Sequence, residues 1–426
     1  MMTVQQTKAN DTGAHPAGLN KPLPSRHGAD MLEARQMASR LRLLITGNPE
    51  PDEASWQAMG EALWRGDKLA DDLVAWMHEL GMARAWGLFE RAMQSASALP
   101  PETPAPLRRF IGATHGWPDW VNAEELTLGA RVLQSTGLHG MMVLRDAGLM
   151  AGYQASAINQ TLIMTGSLHK GAQRRVAETT TWWLACTEDG GMEPGAPGFT
   201  MTLRVRVMHA LVRHQLQHGG KWDESKLGLP VNQLDMQATY LAFSVVQLLA
   251  LKTTGVWLTG KESQAVMHLW RYIGWLMGVE PGLLSDEEQQ GRVALYQNVL
   301  SQAGADESSV MLGRALMDEP LQRHYANLPG LRGRLNKARH LSLVSWFVGT
   351  SGMRALGLPA TVPWYPLLMM VPLALRTTLI HLLPGGVSAW AKRGRDVQRR
   401  YLPVLLGERP PQHLTGGTSH HEKQAR

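Results

Sequence analysis

Along most of this chain apolar residues recur three and four positions apart, the spacing of one face of an α-helix. Asp30 stands as an N-cap before a helical stretch that reaches Leu44 and is closed by Gly47, and further stretches are predicted over 53–65 and 69–93. The segment 99–106, LPPETPAP, reads as a rigid linker. From 123 to 278 long helical patterns alternate with Gly, Pro and polar breaks, and more helices are predicted over 286–302, 335–349 and 387–406. No run of four or more residues alternates apolar and polar with β-branched enrichment, and no internal repeat is present. The pattern predicts an all-α chain.

The segment 356–384 departs from this pattern. It is apolar but is interrupted by Pro359, Pro363, Pro366 and Pro372, holds Arg376, and never supplies the roughly 20 consecutive apolar residues of a spanning helix. Lys392, Arg393, Arg395, Arg399 and Arg400 follow it. Two readings stand: a C-terminal arm packed on the body with a solvated basic helix, which is preferred, or peripheral membrane contact through 356–400.

Composition narrows the field. Of 426 residues, 44% are hydrophobic and only 18% charged, so the chain is not disordered and can bury a large core. The single cysteine, Cys186, excludes an intramolecular disulfide, a cysteine-cage zinc site and C-x-x-C-H haem attachment. Fifteen Trp and 23 Met beside 5 Phe and 7 Tyr suit an irregular cavity for an apolar ligand, and equally an ordinary core. The net charge of +6 is small for this length and gives no reason to expect nucleic-acid binding. Residues 1–25 hold no apolar run, so neither a secretory nor a twin-arginine signal is read, and a cytoplasmic protein is expected, with the inner membrane surface as the site of any peripheral contact.

Two motifs are set aside. The segment 255–262, GVWLTGKE, nears the phosphate-loop pattern, but Glu262 replaces the magnesium-binding hydroxyl and a helix precedes it. His214 and His218 have the spacing of paired metal ligands but lie in a polar segment at a Gly219–Gly220 helix stop.

Chemistry concentrates in 200–217, TMTLRVRVMHALVRHQLQ. As a helix it places Val205, His209, Val212 and Leu216 on one face, flanked by Arg206 and Arg213. A neutral imidazole in an apolar wall bracketed by guanidiniums suits a haem, with iron on the nitrogen and arginines on the propionates. The same pattern also describes a plain core histidine. Upstream, in QRRVAETTTWWLA (173–185), Arg175, Glu178 and Thr179 share a face beside Trp182 and Trp183; downstream, Thr239 and Phe243 share another.

Across these segments the chain resembles the rubber oxygenase (latex clearing protein) and MpaB-type oxygenase family. The carrying residues are T-G-S-L at 165–168, R-V-A-E-T-T at 175–180, R-V-R-V-M-H-A-L-V-R at 204–213, L-P-V-N-Q-x-D-M at 229–236 and H-L-W-R-Y-I-G-W-L-M-G-V at 268–279. The resemblance implies a globin-like helical core holding one non-covalent haem b, with dioxygen as co-substrate. It implies His209 as proximal iron ligand, Arg175 and Thr179 as distal donors, and Thr239 as a haem contact. There are two departures from the family pattern. Glu178 stands where the rubber-cleaving members carry a distal Lys, and 126–177 contains no Glu to match their base, Asn159 or Gln160 lying near that place. Both point away from polyisoprene itself.

The resulting expectation is a single large helical domain: a mobile leader (1–28), an N-terminal helical extension (29–106), a haem-binding oxygenase-like domain (107–350), and a proline-interrupted arm with a basic tail (351–426). Its function is read as oxidative attack on a C=C bond of an apolar, isoprenoid-like substrate. Glu178 is read either as a proton shuttle or as a salt-bridge partner of Arg175. The competing function is a haem-binding sensor or carrier without turnover.

Overall fold

In the computed structural model, which describes residues 21–95, 99–165 and 171–407, regular structure is helical throughout. The N-terminal helices are α1 (Met31–Arg42), α2 (Glu53–Ala62), α3 (Lys68–Leu80), α4 (Met82–Gln94) and α5 (Ala105–Thr114). Asp30 occupies the N-cap position of α1, but its carboxylate accepts the Gly304 N–H at 2.9 Å rather than a donor of its own helix. The predicted stretch 69–93 is two helices. Gly81 separates them with φ 91°, a conformation that only glycine adopts without strain. Helix α5 starts inside the expected linker, with Pro106 in its first turn, where a missing N–H costs nothing.

Within the segment expected as leader (1–28), Arg26 is buried and its Nη2 donates to both Asp235 carboxylate oxygens at 2.9 and 2.8 Å; residues 1–20 lie outside the described residues.

The central layer comprises α6 (Ala123–Ser135), α7 (Gly137–Val143), a π turn (Leu144–Leu149), α8 (Met150–Gly152), α9 (Ser156–Met164), α10 (Ala172–Cys186) and α11 (Pro197–His218). It continues through α12 (Glu224–Leu227), α13 (Gln233–Leu241), a second π turn (Ala242–Val246), α14 (Gln247–Thr253) and α15 (Gly260–Leu276). The two π turns pack against each other. Helix α15 lies along α6 so closely that a Cβ at Gly129 would sit 2.4 Å from the Ala265 carbonyl oxygen. Phe89, Phe110, Trp182, Trp183, Trp270 and Tyr272 are buried in the core these helices share.

The C-terminal helices are α16 (Glu288–Ser301), α17 (Glu307–Asp318), α18 (Pro329–Ala355), α19 (Trp364–Leu382) and α20 (Gly386–Leu406). Helix α18 outruns its predicted 335–349 and kinks at Gly349 (φ 66°, ψ −171°). The proline-broken segment 356–384 contains the 19-residue α19: Pro359 and Pro363 precede it, Pro366 lies in its first turn, and only Pro372 interrupts its interior. Helix α20 packs on α6, α7 and α10, so the basic run divides. Arg395 is buried and donates to Thr187, whereas Lys392, Arg393, Arg399 and Arg400 are exposed.

Candidate functional site

Helices α10 and α11 run past each other in an antiparallel register that side-chain contacts fix. Trp182 Nε1 donates to Thr202 Oγ1 at 3.0 Å, and Cys186 Sγ lies 3.5 Å from the same hydroxyl. At Gly198 the backbones come so close that a Cβ would stand 2.7 Å from the Ala185 carbonyl oxygen. Stepping two turns from Trp182 toward the start of α10, and two from Thr202 along α11, sets Arg175 opposite His209. The facing stripes are therefore Arg175, Thr179, Trp182 and Cys186 on one helix and Gly198, Thr202, Val205 and His209 on the other.

Burial along these stripes is uneven. Trp182, Cys186 and Thr202 are sealed, Arg175, Val205 and His209 are half-buried, and Thr179 is exposed. Trp182 also meets Phe243 edge-on at 5.2 Å and Trp270 at 5.8 Å. Thr239, one turn before Phe243 and on the same face, is exposed although Gln237 and Tyr240 are buried. Trp182 thus packs where α10, α11, α15 and the second π turn meet.

His209 lies on α11 opposite Arg175 and is half-buried as a residue. Desolvation, followed by the nearby Arg213 cation, pushes its pKa down to about 4. Its Nδ1 is buried without a hydrogen-bond partner. A neutral imidazole with an unengaged nitrogen suits an iron ligand.

The two arginines expected to bracket a haem are engaged elsewhere. Arg206 binds Asp67, the N-cap of α3, through two hydrogen bonds of 2.6 and 2.9 Å, and also donates to the Leu276 carbonyl at 3.2 Å. Arg213 donates to Asp71 at 2.8 Å and to the Val231 carbonyl at 2.7 Å. Helix α3 packs against α11 and brings both carboxylates there, so both guanidiniums are paired within the protein.

Glu178 pairs with Arg174, not Arg175, at 2.9 Å one turn apart. Arg175 instead lies 5.8 Å from the Tyr153 ring, whose hydroxyl pKa burial raises and the guanidinium partly lowers. Sequence reading missed Tyr153, since an isolated tyrosine outside the motifs carries no signal. Asn159 is buried, donating to the Tyr153 carbonyl at 2.8 Å and to Ser308 Oγ at 3.1 Å. Thr239 Oγ1 donates back to the Asp235 carbonyl at 3.1 Å. Of T-G-S-L only Thr165 falls among the described residues.

The motifs set aside behave as structure. The 255–262 loop joins α14 to α15, with Thr259 and Glu262 forming a capping box. His78, His214 and His218 stack at 4.1 Å spacings, and among the described residues no group of three or more His, Cys, Asp or Glu side chains is placed to hold a metal ion.

Comparison with known proteins gives three findings. Residues 134–378 match the family described as ER-bound oxygenase mpaB/B'/Rubber oxygenase, catalytic domain, a stretch that holds Arg175, His209 and Thr239 and runs on into α19. The rubber oxygenase of Streptomyces sp. (strain K30) is 25% identical over 224 residues, 51% of this chain; the chain spans about half of that relative, 54% of its length. A latex clearing protein structure in the closed state superposes with a TM-score of 0.63 at 19% identity, covering 90% of this chain and 95% of that one, and shares its helical fold.

Proposed function

The chain belongs to the MpaB/rubber oxygenase catalytic-domain family, and from that membership we propose a haem b-dependent oxygenase acting on an apolar, unsaturated or isoprenoid-like substrate with dioxygen as co-substrate. The observation that carries this reading is His209: a desolvated, neutral imidazole with an unengaged nitrogen. We read Arg175, Thr179, Val205, His209 and Thr239 as lining a recess above Trp182 that would receive the haem. One haem per chain would be held there. When bound, haem supplies the redox chemistry that an all-amino-acid site lacks.

The chain's own residues shape the rest. Arg175, across from His209, is a fixed cation whose N–H groups can donate to oxygen substituents in the recess. Tyr153 beneath it restricts its swing. Glu178 is matched to Arg174 while Arg175 turns to the Tyr153 hydroxyl, and the half-buried Glu178 carboxylate is read as the proton carrier. Asn159 is a neutral amide already hydrogen-bonded and cannot serve as a base, so proton transfer on this wall falls to Glu178. Trp182, Phe243 and Val205 exclude water and present apolar surface to a hydrocarbon substrate.

The test is spectroscopic. Purified protein should show a b-type haem spectrum, with haem extractable by acid acetone since no Cys pair links it. His209→Ala should lose most of that haem and keep its far-ultraviolet helical signal. Full occupancy with an unshifted spectrum in the variant would remove His209 as ligand.

A further inference from the structure

Among the described residues, two helical stretches are long and apolar enough to cross a membrane by length and composition, Gln233–Thr253 and Trp364–Leu382. The first, α13 through α14, is core, with 67% of its apolar window buried. The second, α19, has 22% buried. Leu367, Leu368, Val371, Leu375, Leu379 and Leu382 are each between 56% and 72% exposed, while Leu373, Thr377 and Ile380 face inward. From Leu368 the exposed leucines and Val371 step by three and four residues, so they form one ridge along a helix about 28 Å long. Contiguous apolar exposure on this scale marks an interaction face.

Three further observations identify the occupant. No Asp or Glu occurs in Trp364–Leu382. Tryptophans border the ridge: Trp364 begins the helix, and Trp257, 66% exposed, is tied to it by its backbone N–H on Thr377 Oγ1 at 3.3 Å. Trp257, Met370, Val371, Ala374 and Leu375 line a groove of about 390 Å³ there. Beyond the turn at Gly385, Lys392, Arg393 and Arg400 are exposed on α20, where Asp396 is the one acidic residue. An apolar ridge, bordering tryptophans and exposed cations on the next helix together match the headgroup–acyl boundary of an anionic lipid surface. A second copy would bring the same cations to the interface with no acidic residue in α19 to answer them.

We propose that α19 is an interfacial docking helix that lays its leucine ridge into an anionic lipid surface, with Lys392, Arg393 and Arg400 over the headgroups. It lies in the membrane plane rather than across it, since its inner face is committed to α18 and α20. This inference stands apart from the haem reading and survives its failure.

The experiment is flotation of the full chain with phosphatidylcholine vesicles, with and without phosphatidylglycerol. The protein should float with the anionic vesicles, less so as salt rises. Leu368→Glu with Leu375→Glu should lower partitioning more than about tenfold, each charge being unfavourable in the acyl layer, while helical signal and Tm stay unchanged because both positions are exposed. Lys392→Ala with Arg393→Ala should weaken binding by roughly fivefold per charge removed. Failure to float with either vesicle, or full flotation of the glutamate variant, would overturn the proposal. So would a dimer that the glutamate variant converts to monomer, which would assign the ridge to a second copy.

Discussion

Arg206 and Asp67 form a buried, two-pronged ion pair, 2.6 and 2.9 Å, that fastens the proposed iron-ligand helix α11 to the start of α3. Gly278 makes room for it: a Cβ there would lie 2.3 Å from Asp67 Oδ2, and its φ of +93° is one that other residues adopt only with strain.

Removing one partner leaves the other charge buried and unanswered. Asp67→Ala should therefore cost about 3–5 kcal/mol of folding stability, measured as a fall in urea midpoint. Gly278→Ala should destabilise by displacing the same carboxylate. If Asp67→Ala leaves the midpoint unchanged, the pair does not hold α11 in solution.

His139 gives a pH prediction away from the recess. Its Nε2 sits 2.8 Å from Thr254 Oγ1, and desolvation, then the Arg376 and Arg339 cations, push its pKa down to about 3. The unfolded chain takes up a proton near pH 6.5 and the folded chain does not. Stability contributed by the neutral ring is thus complete above pH 6.5 and drains away as pH falls toward 3, by about 1.4 kcal/mol per unit. His139→Gln, which can keep the Thr254 contact, should flatten the stability–pH curve between pH 6 and 4; an unchanged slope would show that His139 protonates freely in the folded state.

The helices were legible because their apolar periodicity is local. Their limits were not where one residue's backbone decided them, as at Gly81, or where prolines fell in positions a helix tolerates, as with Pro366 before α19. His209 and Arg175 stood out in the sequence as members of motifs, and the structure sets them on facing helices. The partners of Arg206 and Arg213 were not, since Asp67 and Asp71 lie more than a hundred residues upstream and look like ordinary first-turn acids. The Asp146–His340 contact of 2.7 Å, buried and 194 residues apart, had no local signal of any kind.

Glu178 and Arg175 can be separated by paired substitutions. Glu178→Gln removes a partly exposed i,i+4 pair with Arg174, so stability should change by less than about 0.5 kcal/mol. Its turnover should nonetheless fall if the carboxylate moves a proton. Arg175→Leu removes a donor worth about 1.5–3 kcal/mol, so substrate-dependent oxygen uptake should drop roughly ten- to a hundredfold. Unchanged uptake in both variants would take this face of α10 out of the reaction.

The recess itself can be tested by filling it. Thr179 and Thr239 are exposed on helices whose neighbouring positions are buried, which is expected of residues facing an enclosed space and equally of residues facing open water. A large side chain distinguishes the two. Thr179→Trp and Thr239→Trp, if they face the space above Trp182, should occupy volume that haem needs, and haem recovered per chain should fall severalfold. The haem-free protein should keep its Tm, because a side chain entering an empty recess displaces no packed neighbour. A Trp182→Ala control acts differently: it opens a void in the floor and should cost about 3–5 kcal/mol. Normal haem content in both tryptophan variants would mean that the two threonines look outward, and the wall formed by α10 and α13 would have to be redrawn around His209 alone.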